Sequence, residues 1–399
     1  MSHPHSHPHT PVRASRRARA VLAVVLVPVL LATAVGAWLL RPGDEPRPEL
    51  TTTAPGTAYA TATVTGVSQG PEDPQPVLDV VIGGDGGEEV QVHVPPEQVD
   101  ALRAGDEIRV LSLPPDMIGT GPGYVFVDHV RTPSLLALAV VMTVLVVAVA
   151  RLRGLASLVG LGLSLAVLGT FTLPALLVGR PALAVAVVSA SGIMVVVLYL
   201  AHGFSARTTT ALLGTLVGVA LTAGIAAWAT GAARLDGLGG EHALDLIQLA
   251  PSMPLSGVVL CGFVLAGLGV LNDVTITQAS AVWELRASAP DASRLTVFSR
   301  AMRIGRDHIA STVYTIAFAY VGAALPLVLL VAMSDRALVD VVGSGEIAEE
   351  VARSLVGSIG LVLAIPVTTA IAALVAGPRA LVAAPADRHD TPEPIPAGV

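Results

Sequence analysis

A stripe of polar side chains in the second half of the chain has residue types and spacing that suit a cation or a proton. Two carboxylates and two hydroxyls are separated by four, three and four residues: Asp273, Thr277, Ser280 and Glu284. On a helix this spacing places all of them on one face. Ionisable groups at membrane depth are costly, so they tend to face a bundle interior and to be functional. The alternative is an amphipathic helix that leaves the membrane with its polar stripe in cytoplasmic water.

A second polar cluster precedes the next apolar segment. Arg303 and Asp307 are four residues apart, which is the spacing of an ion pair on a helix surface. His308 follows directly, and a histidine can change its charge near neutral pH. We expect Asp307 and His308 to assist the stripe as a cation or proton site, although such groups also commonly anchor the end of a helix.

Motifs of nucleotide-driven and hydrolytic proteins are missing from the sequence. It contains no Walker loop, no G-x-S-x-G, no H-E-x-x-H and no dinucleotide fingerprint. Its single cysteine, Cys261, permits neither an intrachain disulfide nor a cysteine-based metal site. We therefore expect no cofactor and no enzymatic activity.

The composition indicates that lipid is part of the solvent of this chain. Only 13% of the 399 residues are charged and 53% are hydrophobic, whereas a soluble globular chain carries about 25% charged residues. Such a chain cannot bury its apolar side chains in one core and keep a polar surface. The residues that carry positive charge are all arginine, which we attribute to codon usage and not to nucleic-acid recognition.

A spanning helix needs roughly 20 mostly apolar residues, and eight stretches reach or approach that length. The sequence therefore predicts an all-α polytopic membrane bundle of about eight transmembrane helices. Gly214 and Gly218 form a G-x-x-x-G helix-packing motif in the fifth predicted span. The predicted spans are Ala20–Leu40, Ser134–Ala150, Leu155–Val178, Ala182–Ala201, Ala211–Ala233, Leu255–Leu271, Ile309–Met333 and Leu355–Ala376.

Arginine in the short loops predicts the orientation of the spans. If the amino terminus lies inside, the acidic segments Asp236–Asp245 and Asp335–Glu350 fall outside. We therefore expect a multi-pass protein of the cytoplasmic membrane with both termini in the cytoplasm. The arginines that fall inside are Arg13, Arg16, Arg17, Arg19, Arg151, Arg153, Arg207, Arg286, Arg294, Arg300, Arg303, Arg306, Arg379 and Arg388.

The amino-terminal region allows two interpretations. Basic residues, the apolar run Val21–Leu31 and the small residues Ala32–Ala34 fit a cleavable signal peptide. The apolar run continues to Leu40, which is longer than a signal peptide needs. We therefore favour an uncleaved anchor over residues 20–40.

Both ends of the chain are low in complexity. A histidine-rich tract near the start can bind Zn²⁺ or Ni²⁺; it consists of His3, His5, His7 and His9. We favour disordered cytoplasmic tails over residues 1–19 and 377–399.

Residues 51–131, between the first two spans, have the alternation of a soluble β domain. Strand-prone stretches follow one another, and the glycine-rich segment Gly83–Gly87 marks a hairpin turn. We predict a small extracytoplasmic β-barrel, OB-like in pattern. Its strands are Thr57–Val67, Val77–Ile82, Glu89–Val94, Glu107–Leu113 and Tyr124–Val130.

The order of motifs around the polar stripe points to a family. A glycine-rich turn at Gly267–Gly269 precedes Asp273, a small-residue stretch then ends at Glu284-Leu285, and Ile304–Asp307 precedes a long span. This order resembles the YibE/F family of bacterial multipass membrane proteins, specifically from about Leu260 to Leu325 and generally over residues 133–376. The resemblance implies a seven-helix membrane domain with a permease-like role.

Two functions from different classes follow. The first is a secondary transporter or permease for an ion or small solute, with Asp273 and Glu284 at its cation or proton site. The second is a scaffold or receptor whose β domain binds an envelope partner. The expected partners are the lipid bilayer, an ion or small solute, and a second copy of the chain or an envelope protein; nucleic acid is not expected.

Overall fold

The computed structural model describes residues 14–45, 54–68, 76–83, 87–114, 123–240 and 242–376. The chain divides into two compact units: a first unit of residues 1–48 and 156–399, and a second unit of residues 49–155. The four histidines of the tract and the predicted tail after residue 376 lie outside the described residues. The predicted amino-terminal tail is too long, because the first helix begins at Arg16 with the Ser15 hydroxyl accepting from the Ala18 N–H.

The second unit contains the five predicted strands, each confirmed to within a residue at its two ends. They are β1 Ala58–Ser68, β2 Val77–Ile82, β3 Glu88–His93, β4 Glu107–Ser112 and β5 Tyr124–His129. This agreement is expected because strand alternation is a local pattern with a period of two residues.

The five strands close into a barrel in the order β1-β2-β3-β5-β4, with β1 also paired to β4. All pairs are antiparallel except β3 with β5. A short helix, α2 Pro96–Val99, contributes Val99 to the same core. The side chains that fill the barrel alternate along the strands: Ala62, Val64, Leu78, Val80, Val92, Ile108, Val110 and Phe126.

The helices that follow are long and apolar. After α1 (Arg16–Leu40) and the barrel, α3 covers Thr132–Val167 and continues through a π-helical turn, Leu168–Thr172, into α4 (Leu173–Leu177). The rest are α5 Ala182–His202, α6 Ala206–Ala232, α7 Ala243–Leu249, α8 Leu255–Ala266, α9 Leu268–Ser288, α10 Arg294–Ala323, α11 Leu325–Ala332, α12 Leu338–Val342 and α13 Gly345–Val375.

Arg151 interrupts α3 between two predicted spans. Its backbone has φ 55° and ψ −134°, a conformation that non-glycine residues rarely adopt. After the break a Cβ on Gly154 would collide with the carbonyl oxygen of Val146. The 46-residue segment Thr132–Leu177 is about 69 Å long as a helix, roughly twice the thickness of the hydrocarbon core.

The chain is a multi-pass membrane protein. Within the described residues six helical segments are long and apolar enough to cross a membrane, or seven if α10 and α11, bent by 76°, form one span. Segment Thr132–Leu177 is one of these and holds two predicted spans, so eight crossings stay a prediction. Two helices extend beyond the predicted spans: the helix of the sixth continues past Leu271 to Ser288, and that of the seventh begins at Arg294 and bends at Ala324.

Helices α6 and α13 lie at the centre of the first unit because small residues let them approach. A Cβ on Gly214 would collide with Thr368, and one on Gly360 would collide with Thr222. A Cβ on Gly218 would be 3.2 Å from the Cβ of Ala364. The predicted G-x-x-x-G packing motif is therefore confirmed, and α6 becomes the most enclosed span, with 61% of its apolar window buried.

The loops of the first unit gather at two ends. At one, called the Arg180 end, the Arg180 guanidinium is 2.8 Å from the Glu45 carboxylate, and a Cβ on Gly179 would press on Ser252. At the other, called the Arg286 end, Ala206 packs into one apolar cluster with Trp283, Val297 and Ala376.

Candidate functional site

The predicted polar stripe lies on one face of α9, as its spacing requires. Asp273 and Glu284 are exposed, whereas Thr277 and Ser280 are half-buried. The two carboxylates are eleven residues apart, which is about 16 Å along a helix, so they do not share a single ion. The stripe is thus an outward face of the bundle.

The structure brings Asp273 together with His308 of α10. The Oδ2 atom of Asp273 is 3.5 Å from the Nε2 atom of His308, whose side chain is 24% exposed while that of Asp273 is 67% exposed. Nε2 itself is buried and makes no hydrogen bond. A protonated His308 would form an ion pair with Asp273 at this contact.

The other predicted helper lies apart from this pair. Asp307 and Arg303 are both exposed, and no ion pair joins them within the described residues. Successive side chains on a helix point about 100° apart, so Asp307 points in a different direction from His308. The geometry therefore connects His308, and not Asp307, to the stripe.

The buried polar face of α9 is a different one, which the sequence pattern did not single out. Thr275 and Gln278 are 0% exposed and Arg286 is 1% exposed. They alternate with Leu271 and Val282 at helical spacing. Because apolar residues lie on the same face, the sequence pattern alone does not distinguish its polar residues from ordinary core positions.

These side chains join α6, α9 and α13 through hydrogen bonds. The hydroxyls of Thr215 and Thr275 are 2.6 Å apart, and the Thr369 hydroxyl donates to Oε1 of Gln278 at 3.0 Å. We call the whole set the axial polar file; its six members, all buried, are Thr215, Thr222, Thr275, Gln278, Thr368 and Thr369.

Three members of the file have buried polar atoms without a partner. They are the hydroxyls of Thr222 and Thr368 and the Nε2 atom of Gln278. The side chains are exposed by 1%, 0% and 0% respectively. A buried polar group without a hydrogen bond costs several kcal/mol. A hydrogen bond to a polar guest or to a water molecule would relieve that cost.

Glycine keeps the surroundings of the file narrow. A Cβ on Gly305 of α10 would be 3.0 Å from Nε2 of Gln278 and 2.7 Å from a methyl group of Ile365. Gly214 and Gly360 are equally tight against Thr368 and Thr222. The polar atoms therefore sit where three helix backbones approach closely, which fixes their positions.

The Arg286 end of the bundle is closed by a guanidinium clamp. Arg286 donates from Nε to the carbonyl oxygen of Ala376 at 2.7 Å and from Nη1 to those of Ala292 and Pro290 at 2.5 and 3.3 Å. The partial negative charge at the end of α13 suits this cation.

No group of three or more histidine, cysteine, aspartate or glutamate side chains able to hold a metal ion exists among the described residues. Cys261 is buried with a free thiol.

Comparison with known proteins gives one match. The model of the family described as YibE/F-like protein matches residues 138–378. This range holds most of α3 and all the later helices, together with Asp273, His308 and the axial polar file. No curated protein and no solved structure matches the chain.

Proposed function

This chain belongs to the YibE/F-like protein family, and we propose that it is a secondary transporter or permease that moves an ion or small solute along the axial polar file. One observation carries the proposal: buried polar atoms of Thr222, Gln278 and Thr368 lack partners inside a lipid-embedded bundle. Such atoms mark ion and substrate pathways in membrane proteins.

The file would act by direct contact with its guest. The Thr222 and Thr368 hydroxyls can replace part of the hydration shell of a small cation, and the amide of Gln278 can orient water or a polar solute. Alternatively, hydroxyls and water molecules in a row can pass a proton. Both routes need the close helix approach that Gly214 and Gly360 provide.

The Asp273–His308 pair would supply the protonation step between α9 and α10. Its 3.5 Å contact lets one proton decide whether α9 and α10 attract each other at this point. In this proposal Thr277, Ser280, Glu284 and Asp307 form the surrounding polar surface of the cation or proton site.

As part of this proposal, the chain crosses the cytoplasmic membrane eight times and has both termini in the cytoplasm. The first unit supports it. The chain leaves that unit at Glu45, beside Arg180. It returns near Gly160, which packs on Val197 and Leu200 towards the opposite end. One further crossing between these points would fit this arrangement, and residues 132–150 have the length for it.

The test is a flux assay in proteoliposomes with protons, Na⁺, K⁺ and a panel of small neutral and charged solutes. We expect flux with wild type and a clear loss in D273N and T222V. The matched control is T210V, because Thr210 is also a buried α6 threonine but its hydroxyl is bonded to the Ala206 carbonyl. If inserted D273N, E284Q and T222V all keep wild-type flux, the proposal is wrong.

A second candidate function is a scaffold or receptor whose barrel binds an envelope partner. It is favoured by the separate core of the second unit and by the β1-β2-β3-β5-β4 order, which fits an OB-like Greek-key barrel. It predicts that deletion of residues 51–131 abolishes function while D273N and T222V remain active.

A further inference from the structure

A cavity lies at the Arg180 end, and its lining residues are separate from the axial polar file. It has a volume of about 510 Å³, is open on one side, and is lined by residues of α7, α8, α10 and α13 and of the loop before α7. Its wall is mostly aliphatic, with Leu246, Leu255 and Val259 among the contributing side chains. Glu349 and Arg353 of α13 bring charge into it. We call this cavity the vestibule.

Glu349 is a buried carboxylate that lines the vestibule, one helical turn before Arg353. Its side chain is 9% exposed, and it accepts a hydrogen bond from the backbone N–H of Gly237. No arginine or histidine forms an ion pair with it among the described residues. A buried carboxylate without a cationic partner is costly, and a positive guest would relieve that cost.

The nearby arginine is already committed to another carboxylate. Arg353 Nη1 is 2.7 Å from Oε1 of Glu350, and its guanidinium lies 5.9 Å from the centre of the Phe263 ring. The Arg353–Glu350 pair is neutral as a unit. Among these three groups Glu349 is therefore the one without an ion-pair partner, and its carboxylate is the group that a cationic guest would contact.

The side chains that line the vestibule limit the chemical class of the guest. One carboxylate cannot replace the hydration shell of a divalent metal ion, which takes several oxygen ligands. Aliphatic walls of this size suit an apolar body, and binding pockets typically combine such walls with few polar groups. A monovalent organic cation meets both conditions, because it has a low charge and a partly apolar surface.

We propose that the vestibule binds a monovalent organic cation, an amine or quaternary ammonium with a small apolar body, whose charge contacts Glu349. As the substrate class of a transporter this rests on the proposed function, whereas the binding site itself rests on the vestibule. The guest enters at the Arg180 end and lies on the α13 face that continues into the axial polar file.

The probe is benzyltrimethylammonium, whose charge does not depend on pH, titrated calorimetrically into the full chain in detergent. We expect binding by wild type and a loss of affinity of about 30-fold or more in E349Q, since removing one member of a buried charge pair typically has that effect. The matched control is E346Q. Glu346 lies one turn earlier on α13, is exposed and does not line the vestibule, so its affinity should equal that of wild type.

A second pair of variants keeps the test decisive if E349Q does not fold. Gly262 lines the vestibule, and a Cβ there would meet no atom within 4 Å. G262L should fill the vestibule and abolish binding, whereas G262A should bind as wild type does. Absence of binding by folded wild type, equal affinity in folded E349Q, or retained binding in G262L each overturns the proposal.

The two proposals fail in different ways. Flux of another solute without benzyltrimethylammonium binding would remove the vestibule proposal and leave the transporter. Binding that E349Q and G262L abolish, with no flux of any solute including the probe, would keep the vestibule and count against transport.

Discussion

The Arg286 guanidinium donates a hydrogen bond to the carbonyl oxygen of Ala376, 90 residues further along the chain, at 2.7 Å. The side chain is 1% exposed and also holds the turn between α9 and α10 through Ala292. An arginine that the sequence places among the cytoplasmic loop charges thus joins the ends of two spans. A planar guanidinium can serve several carbonyls at once, which an ammonium cannot do with the same geometry.

Replacement of Arg286 by lysine should therefore destabilise the bundle. R286K keeps the charge but loses at least one of the carbonyl contacts, so we expect a loss on the order of 2 kcal/mol. Thermal unfolding in detergent measures the effect. The control is R300K, an exposed arginine of α10, which should unfold like wild type. Equal stability of R286K and R300K would show that the clamp contributes nothing.

We expect that Gly360 cannot be replaced because of its contact with Thr222, and not because the helix itself needs a glycine there. A Cβ at Gly360 would collide with the Thr222 hydroxyl, whereas one at Gly357 would meet no atom within 4 Å. We expect G360A to cost about 1–3 kcal/mol and G357A to gain up to about 1 kcal/mol from helix propensity. The double variant G360A/T222A should recover most of the lost stability, because the colliding hydroxyl is removed. Unfolding midpoints of the four proteins decide the point.

Loss of the Thr222 hydroxyl should separate stability from transport. T222V removes a buried polar atom without a partner, so we expect stability within about 0.5 kcal/mol of wild type or above it. T210V removes a hydroxyl that is bonded to the Ala206 carbonyl at 2.8 Å and should be the less stable of the two. For flux we expect the opposite order: T222V should transport less than T210V. A T222V protein that is unstable and still transports would contradict the role of the file.

Asp273 and His308 should act as one unit in transport. The Oδ2 atom of Asp273 and the Nε2 atom of His308 are 3.5 Å apart, and neighbours that share an interaction give non-additive effects. We expect D273N, H308Q and the double variant to lower flux to a similar extent, measured across a pH series in proteoliposomes. Independent, additive losses would mean that the contact has no functional role.

The pKa of the Asp128 carboxyl, on strand β5 of the barrel, is shifted. A hydrogen bond from Arg131, with both Asp128 oxygens 2.7 Å from Nη1, and the N–H of His129 hold the pKa of Asp128 below its ordinary value. Because the folded pKa is the lower one, the contribution of this pair to stability is present at neutral pH. It is lost as the pH falls through the folded pKa. In R131Q we expect the pKa of Asp128 to rise, which NMR titration of residues 51–131 measures; an unchanged pKa would exclude the Arg131 contact.

Much of the architecture was predictable because the relevant signals are local. The barrel strands follow from a two-residue alternation, and the spans follow from apolar runs of sufficient length. The Gly214–Gly218 motif correctly indicated close helix packing. Breaks inside apolar runs were harder to predict: Arg151 has a non-helical backbone inside a long apolar segment. The bend at Ala324 does have a local signal, because Pro326 follows it and proline interrupts a helix.

The sequence by itself determined that this is a multi-pass membrane protein with a small β domain, since hydrophobicity and periodicity are properties of neighbouring residues. It also placed the Asp273 stripe on one helix face. Only the tertiary structure decided which polar face of α9 is enclosed, because burial of Thr275 and Gln278 depends on α6 and α13 far along the chain. In the same way Glu349 belongs to an acidic segment that reads as a solvated loop, yet the packing of α13 buries it beside the vestibule.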